Sequence, residues 1–138
     1  MQAGMNESYL IFSIKNTKWA LPSSSVQEIV HAAKIHPLPF VPEYVEGVVN
    51  CRGLPYTVVN TVAMEGEDNA TISGTMVLVL KRDDDQLAIH ISDIDLFFEP
   101  EEEDLRADGV RYKKQIIPLF DADAVEEQLV KDLTEEES

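Results

Sequence analysis

Apolar and polar positions alternate in short runs. Residues 9–15 and 18–21 are β-prone and flank Asn16-Thr17, a pair that tolerates a tight turn, which predicts an opening hairpin. Pro22 and three serines interrupt this pattern, and Ser25-Val-Gln-Glu28 has the spacing of a capping box, predicting a brief helix over residues 26–30. Pro37, Pro39 and Pro42 cannot donate to a ladder and are disfavoured in helix interiors, so residues 35–42 are expected to be extended or turning. Val48-Val49 and the apolar run 56–59 flank Arg52-Gly53 and predict a second hairpin or a bent strand pair. Residues 66–73 form a polar loop, and residues 75–81 and 86–92 a third hairpin with Asp83-Asp84-Asp85 at its tip. An acidic loop over 99–104 leads to a strand over 115–120. Asp121 caps a final helix that carries Val125, Leu129 and Leu133 on one face before a polar tail. The expected total is mostly β, with two modest helices.

The chain has 138 residues, and its prolines and glycines are spread rather than pooled, so one domain is expected, with its core over about 8–133 and polar tails at both ends. Twenty-six Asp and Glu against 11 Lys and Arg give a formal charge of −15, which argues against nucleic acid and against an anionic membrane surface as partners. The opening MQAGMNESYL lacks a positive n-region and an apolar h-region, and no apolar run reaches bilayer length. Neither export nor membrane insertion is expected. The single cysteine, Cys51, excludes an internal disulfide framework and a zinc site built on several thiolates, which fits the cytoplasm.

The ordered runs Ser25-Val-Gln-Glu-Ile29, Leu38-Pro39 and Pro42-x-x-Val45-x-Gly47-Val-Val-Asn50-Cys-Arg52-Gly53 resemble the CheW-like chemotaxis coupling domain. The resemblance covers residues 9–60 well and continues more weakly to the end. Thr57 and Asn60 stand where the family usually has a proline and an aspartate, Ala88-Ile-His-Ile-Ser92 replaces its Gly-x-x-Val-Asp run, and residues 99–109 make a shorter link between subdomains. The resemblance implies a CheW-like fold of two intertwined, SH3-like, five-stranded β-barrel subdomains with short helices and a C-terminal helix. It implies a non-catalytic adaptor that couples the chemoreceptor signalling tip to the regulatory domain of a CheA-type histidine kinase, with other CheW-like domains as further partners and no cofactor. A diverged module serving another sensory pathway stays open as an alternative.

Several residues carry two readings. Arg52, in a chain short of cations, is either a guanidinium offered to a partner carboxylate or half of an internal ion pair; the resemblance favours the partner. Glu28 either faces a partner, as its counterpart in the family does, or completes the capping box. Val26 and Ile29 either line the partner groove or belong to the core. Pro39, Gly47, Asn50 and Gly53 are read as structural, with the Asn50 amide bonding the loop, and Trp19 and Tyr9 as core or hairpin-face residues. His31, His36 and His90 share no ligand spacing, and Asp83 to Asp85 lack the remaining ligands of a calcium loop, so no metal is expected. Cys51 beside Arg52 raises the question of a lowered thiol pKa, but no base lies at a diagnostic spacing. A small β-barrel enzyme would need paired acids such as Asp93 and Asp95, a spacing that arises readily in so acidic a chain.

Overall fold

A computed structural model describes residues 7–136; the remaining parts of the expected polar tails, 1–6 and 137–138, lie outside the described residues. Eleven strands and two helices follow one another: β1 (Tyr9–Ile14), β2 (Thr17–Pro22), β3 (Val26–Val30), β4 (Val45–Cys51), β5 (Leu54–Val59), α1 (Thr61–Met64), β6 (Met76–Leu80), β7 (Leu87–Ile91), β8 (Asp93–Phe98), β9 (Leu105–Arg106), β10 (Gly109–Tyr112), β11 (Gln115–Pro118) and α2 (Ala122–Glu136). The three hairpins form, the first turning one residue earlier than expected, at Lys15-Asn16 with Thr17 already paired to Ile14, and Asp121 caps α2 by accepting the Ala124 amide at 3.0 Å.

One element is corrected. Residues 26–30 are a strand, preceded by a 3-10 turn over Ser23–Ser25. β-Branched Val26, Ile29 and Val30 suit a pleated surface, and antiparallel pairing with β6 overrides the local capping signal. The Ser25 carbonyl accepts the Lys81 amide at 2.9 Å as part of that pairing. The short helix lies instead at α1, where the Asn60 side chain accepts the Ala63 amide at 3.0 Å. The strands β8, β9 and β10 were not expected from sequence.

The ladders make three sheets, ordered β3-β6-β7-β5-β4, β2-β1-β8 and β11-β10-β9. The five-stranded sheet is antiparallel except between β5 and β7. β1 pairs with β8 across some eighty residues, Ser13 opposite Asp93, so the N-terminal hairpin completes a sheet of the second half. A bridge between Ala20 and Leu119, with the Phe120 amide donating to the Ala20 carbonyl at 2.9 Å, joins the two three-stranded sheets.

β6 and β7 are almost wholly buried because each face covers a different core. Val77, Val79 and Ala88 meet Val49, Cys51 and Val58 within the five-stranded unit. Leu78, Leu80, Leu87, Ile89 and Ile91 face the other way, into a central core shared with Leu10, Phe12 and Phe120. Ile11, Ala20, Val110 and Ile117 form a third cluster inside the other unit. α2 adds Val125, Leu129 and Leu133 to the central core, as its four-residue spacing predicts. Arg82 holds the third hairpin to the start of α2, through Asp85 at 2.7 Å and Asp123 at 2.9 Å, so Asp85 is bound while Asp83 and Asp84 remain exposed at the tip.

A buried polar group ties this sheet to α1. His90 Nδ1 lies 2.7 Å from Glu46 Oε1 and His90 Nε2 2.9 Å from the Gly74 carbonyl oxygen. Asn60 donates to Glu46 Oε2 at 3.2 Å and to the Ala70 carbonyl at 2.8 Å. Burial disfavours the charge on His90, but the Glu46 hydrogen bond and charge and the Gly74 carbonyl outweigh it, so its pKa lies above the ordinary value. Burial likewise opposes ionisation of Glu46, yet His90 and Asn60 hold its pKa below the ordinary value. A raised histidine pKa stabilises fully below the unfolded value of 6.5 and loses this as pH rises through the folded value. A lowered glutamate pKa stabilises above 4.5 and loses this as pH falls through the folded value. The stability difference between wild type and His90→Gln in urea unfolding is therefore expected to be greatest between these two values and to shrink at alkaline pH.

Candidate partner-binding site

The second hairpin turns in two residues. Cys51 pairs with Leu54, leaving Arg52 (φ 54) and Gly53 (φ 81) as the loop, and this double left-handed turn matches the twist of the flanking strands. A Cβ on Gly53 would touch nothing within 4 Å, so glycine serves backbone angle there. Gly47 differs: its Cβ would stand 2.1 Å from the His36 carbonyl oxygen, where the loop before β4 bridges to Val48. The turn projects Arg52 into solvent, with its side chain 70% exposed.

β3 and β4 are opposite edges of the five-stranded sheet, yet their side chains meet. Glu28 Oε1 accepts the Cys51 thiol at 3.2 Å and lies 3.6 Å from Arg52 Nε, an ion pair longer than a hydrogen bond. The sheet therefore curls until its edges approach. The internal ion pair of Arg52 exists, but with Glu28 43% exposed and Arg52 still more open, it contributes only about 0–1 kcal/mol and leaves donors free. Glu28 is no capping residue; it sits on a strand edge and steers Arg52.

Val26 and Ile29 are half-buried against the central core, and Val30 against the core of the five-stranded unit. Three residues apart on a regular strand would fall on opposite faces. A β-bulge between Val26 and Glu28 restores the shared face, so the expected grouping stands while its helical cause does not. Pro39 lies in the exposed loop before β4, and Asn50 is exposed near the end of that strand. Among the described residues no hydrogen bond reaches the Asn50 amide; the asparagine that ties a loop is Asn60. The structure thus gathers Glu28, Cys51, Arg52 and Gly53, while Val26 and Ile29 turn to the central core.

The question of a lowered thiol pKa is answered against it. Burial, then the hydrogen bond and charge of Glu28, raise the Cys51 pKa and outweigh the smaller pull of Arg52. Asp93 and Asp95 do share the exposed face of β8, but Asp95 accepts from Ser13 Oγ at 3.1 Å and pairs with Lys18. Among the described residues there is no cluster of three metal-ligating side chains, and no helix is long and apolar enough to cross a membrane. Sequence reasoning missed the His90 group and the exposed Phe40, since neither short spacing nor composition reveals pairings spread over 44 positions or a side chain's solvent exposure.

These features define a two-unit β scaffold with a cationic turn at one sheet edge. The family model described as CheW-like domain matches residues 8–125, and the chain belongs to the CheW-like domain family. Among solved structures it is similar to the scaffolding protein TtCheW from Thermoanaerobacter tengcongensis, with a TM-score of 0.73, 16% identity, and coverage of 85% of this chain and 90% of that one. A search of curated proteins finds no match.

Gly47→Ala is expected to destabilise by more than about 3 kcal/mol, because backbone must move, and Gly53→Ala by about 1–2 kcal/mol, from the left-handed backbone alone. Urea unfolding of both variants checks the contrast; equal losses would contradict it.

Proposed function

We propose that this protein is a non-catalytic adaptor that couples a chemoreceptor signalling tip to the regulatory domain of a CheA-type histidine kinase in the cytoplasm. Family membership over residues 8–125 supports the class of function. The observation that carries the site is the exposed Arg52 guanidinium, fixed on a two-residue turn and leaned upon by Glu28 from the opposite sheet edge. Such a group offers paired donors to a partner carboxylate. Buried contact rather than bond chemistry then decides which proteins sit together.

In this reading the chain is a single CheW-like domain with its core over about 8–133, and each subdomain is an SH3-like barrel. The meeting of Glu28 with Cys51 and Arg52 across opposite edges supports the first barrel, and the Ala20–Leu119 bridge between the two smaller sheets supports the second. Other CheW-like domains are further partners in this reading.

Co-sedimentation with receptor-tip assemblies and the CheA-type kinase of the same organism tests the proposal. Arg52→Ala is expected to weaken recruitment by about tenfold or more while changing stability by under about 1 kcal/mol. Absence of binding to either partner would overturn the chemotaxis assignment and leave the family membership standing.

A further inference from the structure

A cavity of about 360 Å³ opens between the β1–β2 hairpin, α1 and α2, at the low end of the volumes that hold small organic ligands. Its floor is apolar. Ile14, Phe120 and Val125 are buried there, and Trp19 and Met64 are half-buried. Trp19 is the only tryptophan of the chain, and its ring stands edge-on to Phe120 with the centroids 5.7 Å apart. The indole N–H has no hydrogen-bond partner among the described residues, where no buried side-chain nitrogen or oxygen goes unpaired, so it opens to solvent.

The exposed lining has the opposite chemistry. Thr17, Glu65, Asp121 and Gln128 stand there, and among the described residues no lysine, arginine or histidine lines the cavity. The Glu65 carboxylate has no partner among the described residues. Asp121 answers the positive end of α2 by accepting the Ala124 amide through Oδ1, which leaves Oδ2 available. Gln128 donates to Asp132 through Nε2, which leaves its amide oxygen as an acceptor. An apolar, aromatic floor thus sits under a rim with two carboxylates and no cation.

We infer that this cavity binds a small organic cation with an apolar body, of the arylalkylamine class, its hydrocarbon on Trp19 and Phe120 and its ammonium toward Glu65 and Asp121. An ammonium carries donors and no acceptor, which matches a rim of acceptors. The aromatic floor buries the hydrocarbon and attracts the charge as well. A carboxylate or phosphate ligand would meet Glu65 and Asp121 with like charge, and the formal charge of −15 repels anions at longer range too. An inorganic cation would leave the apolar floor unused. Neither Glu28 nor Arg52 lines this cavity, and its occupancy needs neither receptor nor kinase.

Titration of the full chain with phenethylammonium, read by Trp19 fluorescence, tests it, because no second tryptophan contributes. A saturable change is expected. Phenylacetate, which reverses the charge, and methylammonium, which lacks the ring, should each bind at least about tenfold more weakly. Glu65→Gln, at an exposed position, should weaken binding by about two- to fivefold, the range an exposed charge pair allows. Ala124→Phe places a ring in the cavity from an exposed position of α2 and should abolish saturation, with circular dichroism checking an unchanged fold. No saturable change, phenylacetate or methylammonium binding as tightly as phenethylammonium, or an affinity that either variant leaves unaltered would overturn the inference. Displacement of the amine by a receptor-tip fragment or the kinase regulatory domain would also overturn it, assigning the cavity to a partner's side chain instead.

Discussion

The central strands of the five-stranded sheet, β6 and β7, are buried on both faces, and the rest of the molecule is arranged around that constraint. β6 and β7 alternate between two cores, Val77, Val79 and Ala88 turned inward and Leu78, Leu80, Ile89 and Ile91 turned to the second unit. A sheet of this kind needs cover on both sides. Its own curl supplies one cover. The N-terminal hairpin, Phe120 and α2 supply the other, which requires the two ends of the chain to come together over the middle.

The candidate site is a consequence of the same curl. Glu28 and Arg52 belong to strands at opposite edges of the sheet, and only the approach of those edges lets a carboxylate on β3 lean on the turn after β4. The inward valines and Cys51 fix the curvature. Their small volume allows the edges to close, while the bulge at Val26–Glu28 turns Val26 and Ile29 to the other core. The exposed ion pair therefore adds little to stability and acts mainly on geometry, limiting where the Arg52 guanidinium points.

Local chemistry made much of this legible. Arg52-Gly53 and the tri-aspartate mark real turns, Asn16 marks the first turn together with Lys15 rather than Thr17, and the spacing of Val125, Leu129 and Leu133 marks the face that α2 buries. The motif residues also announced the family. What escaped depends on distant pairing. Ser25 to Glu28 carries a helix-start signal, but β6, fifty residues away, claims the segment as a strand. β8 escaped because its partner β1 lies at the other end of the sequence. Cys51 and Arg52 are adjacent in sequence, yet burial, and then Glu28, which approaches only through the curl, outweigh Arg52 at the thiol. His90 read as a histidine without a ligand set, and its role as a buried tie to Glu46 depends on β4 and β7 lying in one sheet.

The most direct test of the central claim is to map backbone amide shifts by NMR as the kinase regulatory domain or a receptor-tip fragment is added to the labelled protein. The account predicts that perturbations concentrate at residues 26–29 of β3 and at the Arg52-Gly53 turn. Saturable binding that leaves those amides unmoved and shifts other surfaces instead would contradict it.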